Sequence, residues 1–440
     1  MDQRAGFCFS AAWSQTGGSW RFCGLAEGNG RRRGEFQQVP DPDPDSEPTL
    51  GWQSRVSRQY SYDCFYSVNT SLSLSPSPLI PSSSLSLSIP TLPLLPLPRT
   101  RYYHLVPHLA GVPVPESGSV SGRQPRAAGQ TGLGNSGNSC YLNCVLQCLK
   151  HSGPLAEHFL SGAYSHHINR GRGELSNAFS ALLMDMWLGD YMYVFPDEVK
   201  RVLGKVHPPF SDGSQQDAQE LLLFFLNVLH ADLKKSTGVR NVETSIVTRL
   251  FQGQLSYVKL CLNCYHNSNQ TESFLSLSLP MPPDRICSIQ DCFRLFFKEE
   301  VLSSRDRPYC SFCSQKQDQL ECIQLLKAPD IIIIHLKRFE SGDHGNRKLT
   351  SMVTFPLEDL DLTQYTTTPA TQHPKYQLYA VVNHTGTLES GHYTAFCKNP
   401  LTQNWHEFND AKVTSISEQK IQSPAAYILF YNCVNFQWSQ

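Results

Sequence analysis

The residues best suited to chemistry lie where a loop rich in glycine, asparagine and serine turns into an apolar segment, TGLGNSGNSCYLNCVLQCLKH (residues 131–151). Cys140, Cys144 and Cys148 recur every four residues, so they share one face of a predicted helix, where most cysteines are buried core residues. Cys140 alone stands at the helix start, where unpaired N–H groups and the helix dipole favour an anion. We therefore predict a stabilised thiolate and a nucleophile at Cys140.

An attack by this thiolate on an acyl carbon would create an oxyanion, which needs hydrogen-bond donors close by. Asn135 or Asn138, together with backbone N–H groups at the helix start, are suitably placed to donate to it. The alternative interpretation of the loop is an ordinary helix cap.

A partner for the thiol is suggested by the segment GTLESGHYTAFCKN. His392 precedes an alternating strand there, so its ring could project into a cleft. A lone histidine is usually a surface or core residue, and His392 stands out only because of its neighbours. Asn409, in NWHEFNDAKV, should lie on the next strand of a hairpin and orient the imidazole, with Asp410 as the alternative. Because neighbouring strand residues point to opposite faces, only one of the two is expected to reach the ring.

Two C-x-x-C pairs give the strongest local signal in the chain. In a reduced protein, two such pairs are typical of a tetrahedral zinc site with four thiolate ligands. Four thiolates leave no coordination position for water, so the predicted zinc is structural. The alternative is a set of four thiols without a metal. The cysteines concerned are Cys261, Cys264, Cys310 and Cys313.

The elements that must position these residues change in character along the chain. ELSNAFSALLMDMWLGD and QQDAQELLLFFLNVLHADLKK predict amphipathic helices, whereas after Thr244 short runs such as APDIIIIHLKRF and YQLYAVVNHTG predict strands. A helical half followed by a sheet half indicates an α+β domain over residues 126–435, with a cleft between the halves. Residues 1–125 are rich in serine, proline and leucine and are predicted to be a disordered tail.

The overall composition narrows the class of function. The chain has 37 Lys and Arg residues against 38 Asp and Glu residues, and its net charge of -1 gives no general attraction to nucleic acid or anionic lipid. The amino terminus lacks the apolar run of a secretory signal, and no stretch has about 18 consecutive apolar residues. Together with the odd number of 15 cysteines, these features predict an intracellular protein with reduced thiols and no membrane insertion.

Several blocks, in the same order along the chain, resemble the ubiquitin-specific proteases, the cysteine deubiquitinases of peptidase family C19. The blocks are GLGNSGNSCYLNCVLQCL, SQQDAQELLLFFL, the paired CLNC and CSFC, IIIIHLKRF, YAVVNHTGTLESGHYTAFCKN, WHEFNDAKV and AAYILFY. They cover nearly all of residues 130–433. The catalytic region looks most similar to the small subfamily related to the endosomal-type member.

This resemblance implies a papain-like cysteine protease fold with a helical thumb, a palm of β-strands and zinc-tipped β fingers at about residues 244–325. It implies ubiquitin and ubiquitinated proteins as partners, structural zinc without an organic cofactor, a monomeric catalytic domain, and a location in the cytoplasm, the nucleus or both. The residues carried over are Cys140 as nucleophile, His392 as general base, Asn409 as its orienting residue, Asn135 as oxyanion donor, and Gln216 and Asp217 near the ubiquitin tail.

The sequence also departs from the family pattern near both catalytic residues. Gly134 stands where a bulkier residue is common, Ser136 where leucine is usual, Ser139 where threonine is usual, and Ser390 where glycine is common. None of these changes removes a catalytic group, but they keep open the alternative of a ubiquitin-binding protein with negligible turnover. A second alternative, a zinc-dependent nucleic-acid binder, is disfavoured by the balanced charge.

Overall fold

The computed structural model describes residues 127–434 except 189–190, 237–242, 283–285, 305–306, 343–344, 368–374 and 388–389. The predicted tail, residues 1–125, therefore lies outside the described residues. The α-helices are α1 (Cys140–Lys150), α2 (Gly153–Leu160), α3 (Glu174–Leu188), α4 (Asp197–Val206), α5 (Ala218–Leu233), α6 (Ile246–Phe251) and α7 (Ile289–Phe296).

Twenty-two strands accompany these helices in the described part of the chain. They are β1 (Gly132–Leu133), β2 (Tyr193–Val194), β3 (Lys235–Ser236), β4 (Glu243–Thr244), β5 (Gly253–Cys261), β6 (Asn267–Phe274), β7 (Leu277–Leu279), β8 (Cys287–Ser288), β9 (Glu300–Leu302), β10 (Tyr309–Cys310), β11 (Gln315–Lys316), β12 (Gln319–Lys327), β13 (Ile331–Leu336), β14 (Phe339–Gly342), β15 (Gly345–Lys348), β16 (Val353–Thr354), β17 (Leu360–Asp361), β18 (Lys375–Gly386), β19 (Gly391–Lys398), β20 (Trp405–Asn409), β21 (Lys412–Ser415) and β22 (Ala426–Cys433).

Helix α1 is the central helix of the domain. All of its residues are buried, including Cys144 and Cys148, which confirms the expectation that the second and third cysteines belong to the core. The apolar side chains of α5 are also buried, as expected for the amphipathic helix that the sequence predicts: Leu222, Phe225, Leu226 and Leu229. Asp217 caps this helix by accepting hydrogen bonds from two backbone N–H groups. Helix α1 packs against β19 and α5, so the start of α1 lies beside the first residues of a palm strand.

The palm is an eight-stranded sheet with the order β21-β20-β19-β18-β22-β13-β7, and β17 pairs with β18. The run of isoleucines in β13 shows why the sheet has a core on both faces. Ile331 and Ile333 join the apolar cluster that contains the helices, whereas Ile332 and Ile334 join the cluster on the opposite face. Because side chains alternate along a strand, a continuous apolar run is what a strand buried on both faces requires.

A separate four-stranded sheet, β6-β5-β12-β9, forms the predicted fingers. β5 pairs with β12 up to Cys261, which lies opposite Gln319, so the first C-x-x-C pair begins where this ladder ends. Strands β10 and β11 form a short hairpin that carries Cys310. The strands of this sheet lie within residues 253–327.

Two helices, α6 and α7, lie in the half where the sequence patterns predicted strands. Each begins with a capping box: Ser245 with Thr248 at α6, and Ser288 with Asp291 at α7. In both, the first side chain accepts from the helix backbone and the second accepts from the backbone of the first. Both helices are short, so their capping residues are a clearer sequence signal than their periodicity. In the part of the chain that is described, no helix is long and apolar enough to cross a membrane.

Candidate functional site

Cys140 is the first residue of α1 and follows Ser139, the N-cap residue. The residue is only 5% exposed, and its thiol lies near the backbone of Tyr393 in β19. Burial raises the pKa of the Cys140 thiol, and this effect exceeds the lowering by backbone hydrogen bonds from Tyr393 and from the helix start. The prediction of a stabilised thiolate is therefore wrong for the resting site, because loss of solvation outweighs the helix terminus. Attack by this thiol requires a base.

His392 is the second residue of β19, next to the residue whose backbone contacts Cys140. Its Nε2 lies 2.8 Å from Oδ1 of Asn409, the last residue of β20, and these two strands form the predicted hairpin. Because the amide oxygen can only accept, Nε2 carries a proton and Nδ1 of the neutral ring is free to accept one. The structure thus places Asn409 against His392, on the strand whose next residue lies beside Cys140; the catalytic roles of the three residues stay predictions.

Asp410, the alternative orienter, points away from His392. It has a left-handed backbone conformation, with φ of 48°, which ends the strand. Its Oδ1 accepts from Asn143 Nδ2 at 2.8 Å, and its Oδ2 accepts from Asn135 Nδ2 at 2.9 Å. The contact with the imidazole therefore comes from Asn409, whereas the carboxylate beside it holds the loop that precedes Cys140.

The two candidate oxyanion donors have different surroundings. Oδ1 of Asn135 accepts from the backbone N–H groups of Gly137 and Ser139, both at 3.1 Å, while its Nδ2 donates to Asp410. These contacts fix the amide plane and leave the second Nδ2 proton for an oxyanion. Nδ2 of Asn138 instead donates to the carbonyl of Gly213, at 2.9 Å. The arrangement favours Asn135 as the donor.

The departures from the family pattern are accommodated locally. Ser139 keeps a hydroxyl, which accepts from the N–H of Ser136 and donates to Asn135 Oδ1. A Cβ atom added at Gly134 would lie 2.3 Å from the ring of Phe195, so this ring occupies the space that a bulkier residue would need. The backbone N–H of Ser390 donates to Thr387 Oγ1. The glycine at position 134 is therefore compensated by Phe195, whose ring fills the space that a larger residue would take.

The predicted substrate residues, Gln216 and Asp217, lie at the start of α5. Asp217 Oδ2 accepts from the hydroxyl of Tyr427 at 2.6 Å, and its Oδ1 caps the helix. Gln216 Nε2 donates to Pro209 O and to Ser214 Oγ, both close by in the chain. Their contact with a ubiquitin tail stays a prediction.

Sequence reasoning missed the neighbouring glutamine, Gln215. Its Oε1 accepts from the N–H of Gly391, the residue before His392, at 2.8 Å. Since Asn138 donates to Gly213 O, the segment of residues 211–216 is tied both to the nucleophile loop and to the strand that carries His392. We call this segment the cleft strap. The only sequence signal was its place in the motif QQDAQE, which does not reveal which glutamine faces the cleft.

The four predicted metal ligands form one cluster. Their Sγ atoms all lie within 4.8 Å of one another, with 3.8 Å between those of Cys261 and Cys313 and 3.6 Å between those of Cys264 and Cys310. Tetrahedral zinc with Zn–S bonds of about 2.3 Å requires sulfur separations of about 3.8 Å. The cluster can hold a metal ion of this kind.

The backbone around both cysteine pairs is arranged in the same way. The residue after the second cysteine has a left-handed conformation in each pair, with φ of 58° at Tyr265 and 54° at Ser314. The N–H of Cys313 and the amide of Asn263 donate to sulfur atoms of the cluster. Such N–H groups stabilise the thiolates that a metal site needs.

Comparisons with known proteins agree with the geometry. A model of the family described as ubiquitin carboxyl-terminal hydrolase matches residues 131–431. Ubiquitin carboxyl-terminal hydrolase 2 of Gallus gallus is 36% identical over 349 residues, which cover 72% of this chain and 96% of that protein. The human hydrolase 2 is 35% identical and matched over 72% of this chain and 58% of its own length.

Usp2 of Drosophila melanogaster is 35% identical over 71% of this chain and 36% of its own length. The chain thus spans between about a third and three fifths of the fly and human relatives. The similarity to the endosomal-type subfamily stays a prediction.

Solved structures show the same fold. The SAGA Ubp8/Sgf11/Sus1/Sgf73 DUB module bound to ubiquitin aldehyde matches with a TM-score of 0.63 and 27% identity, over 72% of each chain. A variant of the same module, bound to monoubiquitin, matches with a TM-score of 0.62 and 28% identity, over 73% of this chain and 72% of that one. The thumb, palm and fingers predicted from the sequence are confirmed by these similarities.

Proposed function

Because the chain belongs to the ubiquitin carboxyl-terminal hydrolase family, we propose that it is a thiol-dependent deubiquitinase. It hydrolyses the isopeptide bond between the carboxyl-terminal glycine of ubiquitin and a protein lysine. The observation that carries the proposal is the hydrogen bond of 2.8 Å between His392 and Asn409, beside a cysteine at a helix start. Ubiquitin as the partner is supported by the ubiquitin-bound modules that the fold resembles.

Cys140, His392 and Asn135 would cleave the isopeptide bond in two stages, acylation of the cysteine and hydrolysis of the thioester. Nδ1 of His392 takes the thiol proton while Sγ of Cys140 attacks the carbonyl carbon, and the carbonyl electron pair moves to the oxygen, which accepts from Asn135. The imidazolium then gives its proton to the lysine nitrogen as the C–N bond breaks, which leaves a thioester on Cys140. A water molecule, deprotonated by His392, attacks the thioester and releases the ubiquitin carboxylate and the thiol.

The proposal is tested by reacting the full-length protein with ubiquitin that carries a carboxyl-terminal electrophile. The wild type and Cys144→Ala should form a covalent adduct, because Cys144 is buried in the core. Cys140→Ala should form none. An adduct in Cys140→Ala, or none in a folded wild type, would overturn the assignment of the nucleophile.

One observation favours a second candidate, a ubiquitin-binding protein with negligible turnover. Cys140 is 5% exposed and burial raises the pKa of its thiol, so both access and ionisation are hindered in the resting site. Steady release of a fluorogenic group from the ubiquitin carboxyl terminus distinguishes the two. Tight ubiquitin binding without release would support the second candidate.

We propose zinc as the metal of the cysteine cluster, because the sulfur separations fit its tetrahedral coordination. Zinc there would supply folding energy to the fingers and no catalysis.

We also propose a reducing location, in the cytoplasm, the nucleus or both, since thiolate ligands must stay reduced. The balanced charge supports a domain that binds neither nucleic acid nor membrane, and the family resemblance supports a monomer. Sedimentation and cell fractionation test these points.

A further inference from the structure

Asn143 lies one turn after Cys140 in α1 and is 2% exposed. Its Nδ2 reaches three acceptors: Asp410 Oδ1 at 2.8 Å, Gly134 O at 3.2 Å and Leu133 O at 3.4 Å. Its Oδ1 is buried and has no hydrogen-bond partner among the described residues. An unpaired buried oxygen is unfavourable, so a side chain with only a packing role would be better replaced by an apolar one.

The groups that accept hydrogen bonds from Asn143 lie in the two parts of the chain that hold the oxyanion donor Asn135 in place. Leu133 and Gly134 are the backbone that leads directly into Asn135, and the N–H of Leu133 also bonds to Asp410 O at 3.0 Å. Asp410 holds the Asn135 amide through its other carboxylate oxygen. Asn143 therefore joins the helix that carries the nucleophile to both the loop and the carboxylate that place Asn135.

We propose that Asn143 is a positioning residue for the hydrolysis, acting on the oxyanion donor Asn135 through Asp410 and the backbone of residues 133–134. This inference rests on the proposed function. It assigns to Asn143 no contact with the substrate. Its effect should appear only in reactions that pass through an oxyanion.

Gln147, four residues further along α1, offers a matched comparison. It is 1% exposed, its Nε2 donates to the carbonyl of Thr131 at 3.1 Å, and its Oε1 also lacks a partner among the described residues. It therefore has the same chemistry, the same burial and the same helix as Asn143. The difference is that the Gln147 side chain makes no hydrogen bond with Asp410 or with the backbone of residues 133–134.

The test compares full-length wild type, Asn143→Ala and Gln147→Ala. The kcat and KM for release of a fluorogenic group from ubiquitin are measured together with the melting temperature. Asn143→Ala should lower kcat about 10- to 100-fold with KM within about twofold, because misplacing a donor by about 1 Å has effects of this order. Gln147→Ala should keep kcat within about twofold, even where both variants lose similar melting temperature.

A second readout separates the oxyanion from the thiol. Alkylation of Cys140 by iodoacetamide displaces iodide from a saturated carbon and forms no oxyanion, so Asn143→Ala should alkylate at the wild-type rate. In the Asp410→Ala background, adding Asn143→Ala should lower kcat by a smaller factor than it does in the wild type, since residues that act through one another are not additive.

Each outcome decides the inference. An equal loss of kcat in Asn143→Ala and Gln147→Ala, or slower alkylation that matches the loss of kcat, would show a structural role and overturn it. If the wild type turns over and Asn143→Ala has the same kcat, the inference about Asn143 is wrong while the proposed function stands. No turnover by a folded wild type would overturn the proposed function and the inference with it.

Discussion

Asp410 Oδ2 accepts a hydrogen bond of 2.9 Å from Asn135 Nδ2, although the two residues are 275 positions apart in the chain. Asn409, its immediate neighbour, bonds instead to His392. Two consecutive polar residues at the end of β20 thus serve two different parts of the site. The amide of Asn409 fixes the ring of His392, and the carboxylate of Asp410 fixes the loop before Cys140.

This division predicts different defects for the two neighbours. Asn409→Ala should slow both ubiquitin hydrolysis and alkylation of Cys140, by about tenfold, because it frees the ring that takes the thiol proton. Asp410→Ala should slow hydrolysis without slowing alkylation, because its contacts lead to the oxyanion donor and its negative charge raises the pKa of the Cys140 thiol. The measurement is the pair of rates, fluorogenic release and iodoacetamide consumption, for each variant.

His392→Ala provides the reference for complete loss of the base, and its hydrolysis should fall on the order of 10²- to 10⁴-fold. If Asp410→Ala slowed alkylation more than Asn409→Ala did, the carboxylate would be the orienter and the assignment made from the hydrogen bonds would be wrong.

The parts of the site that follow from local pattern were accessible from the sequence. Alternation in β20 indicated that only one of Asn409 and Asp410 could reach His392, and the structure shows that separation. The choice between them depends on the left-handed backbone at Asp410, which no pattern of residue types reveals. The contact of Asn143 with Asp410 joins residues 267 positions apart, so it arises only when α1 packs on the palm.

Two further differences between the sequence-based predictions and the structure arise from tertiary packing: the pKa of Cys140 and the choice between two adjacent glutamines. The raised pKa of Cys140 reflects burial against β19, whereas the sequence showed only the helix start that lowers it. At the strap, residues 215 and 216 are both glutamine, so composition cannot tell which one turns toward Gly391. Here tertiary packing decides between equally suitable side chains.

Loss of the metal should affect the fingers more than the cleft. We expect about one zinc per chain by elemental analysis, and well below one in Cys310→Ser, because the cluster would lose a ligand. Chelation should raise hydrogen exchange in β5 and β12 more than in α1, since the metal stabilises the end of their ladder. Cys322→Ser, in β12 but outside the cluster, is the control and should keep its zinc. Equal metal content in both variants would contradict this prediction.

Lys150 should make stability depend on pH. Its Nζ is buried, donates to Gly129 O at 2.8 Å and lies 4.6 Å from the centre of the Phe408 ring. Burial lowers the pKa of Lys150 to about 7, whereas an unfolded lysine titrates near 10.4. Between these values the unfolded chain binds more protons, so the free energy of unfolding should rise with pH from about 7 to about 10.

The measurement for Lys150 is the melting temperature of the wild type and Lys150→Met from pH 6.5 to 9.5. The difference between them should shift in favour of the wild type as the pH rises, because the cost of burying the charge disappears. A difference that does not change with pH would show that Lys150 stays charged, stabilised by its carbonyl and aromatic contacts.

The hydrogen bond that Gln215 Oε1 accepts from Gly391 N ties the cleft strap to the strand that carries His392, and we expect it to slow access to Cys140. Gln215 is exposed, so its bond should contribute about 0.5–1.5 kcal/mol, and Gln215→Ala should speed alkylation of Cys140 by about two- to tenfold. Gln377→Ala, which removes a polar contact of a palm glutamine away from the cleft, should leave the rate unchanged. The alkylation rate is measured at low and at high iodoacetamide concentration. A rate that becomes independent of the concentration reports opening of the cleft strap, whereas a proportional rate reports the chemical step. A slower reaction in Gln215→Ala would mean that the bond positions His392 through Gly391 and does not restrict entry.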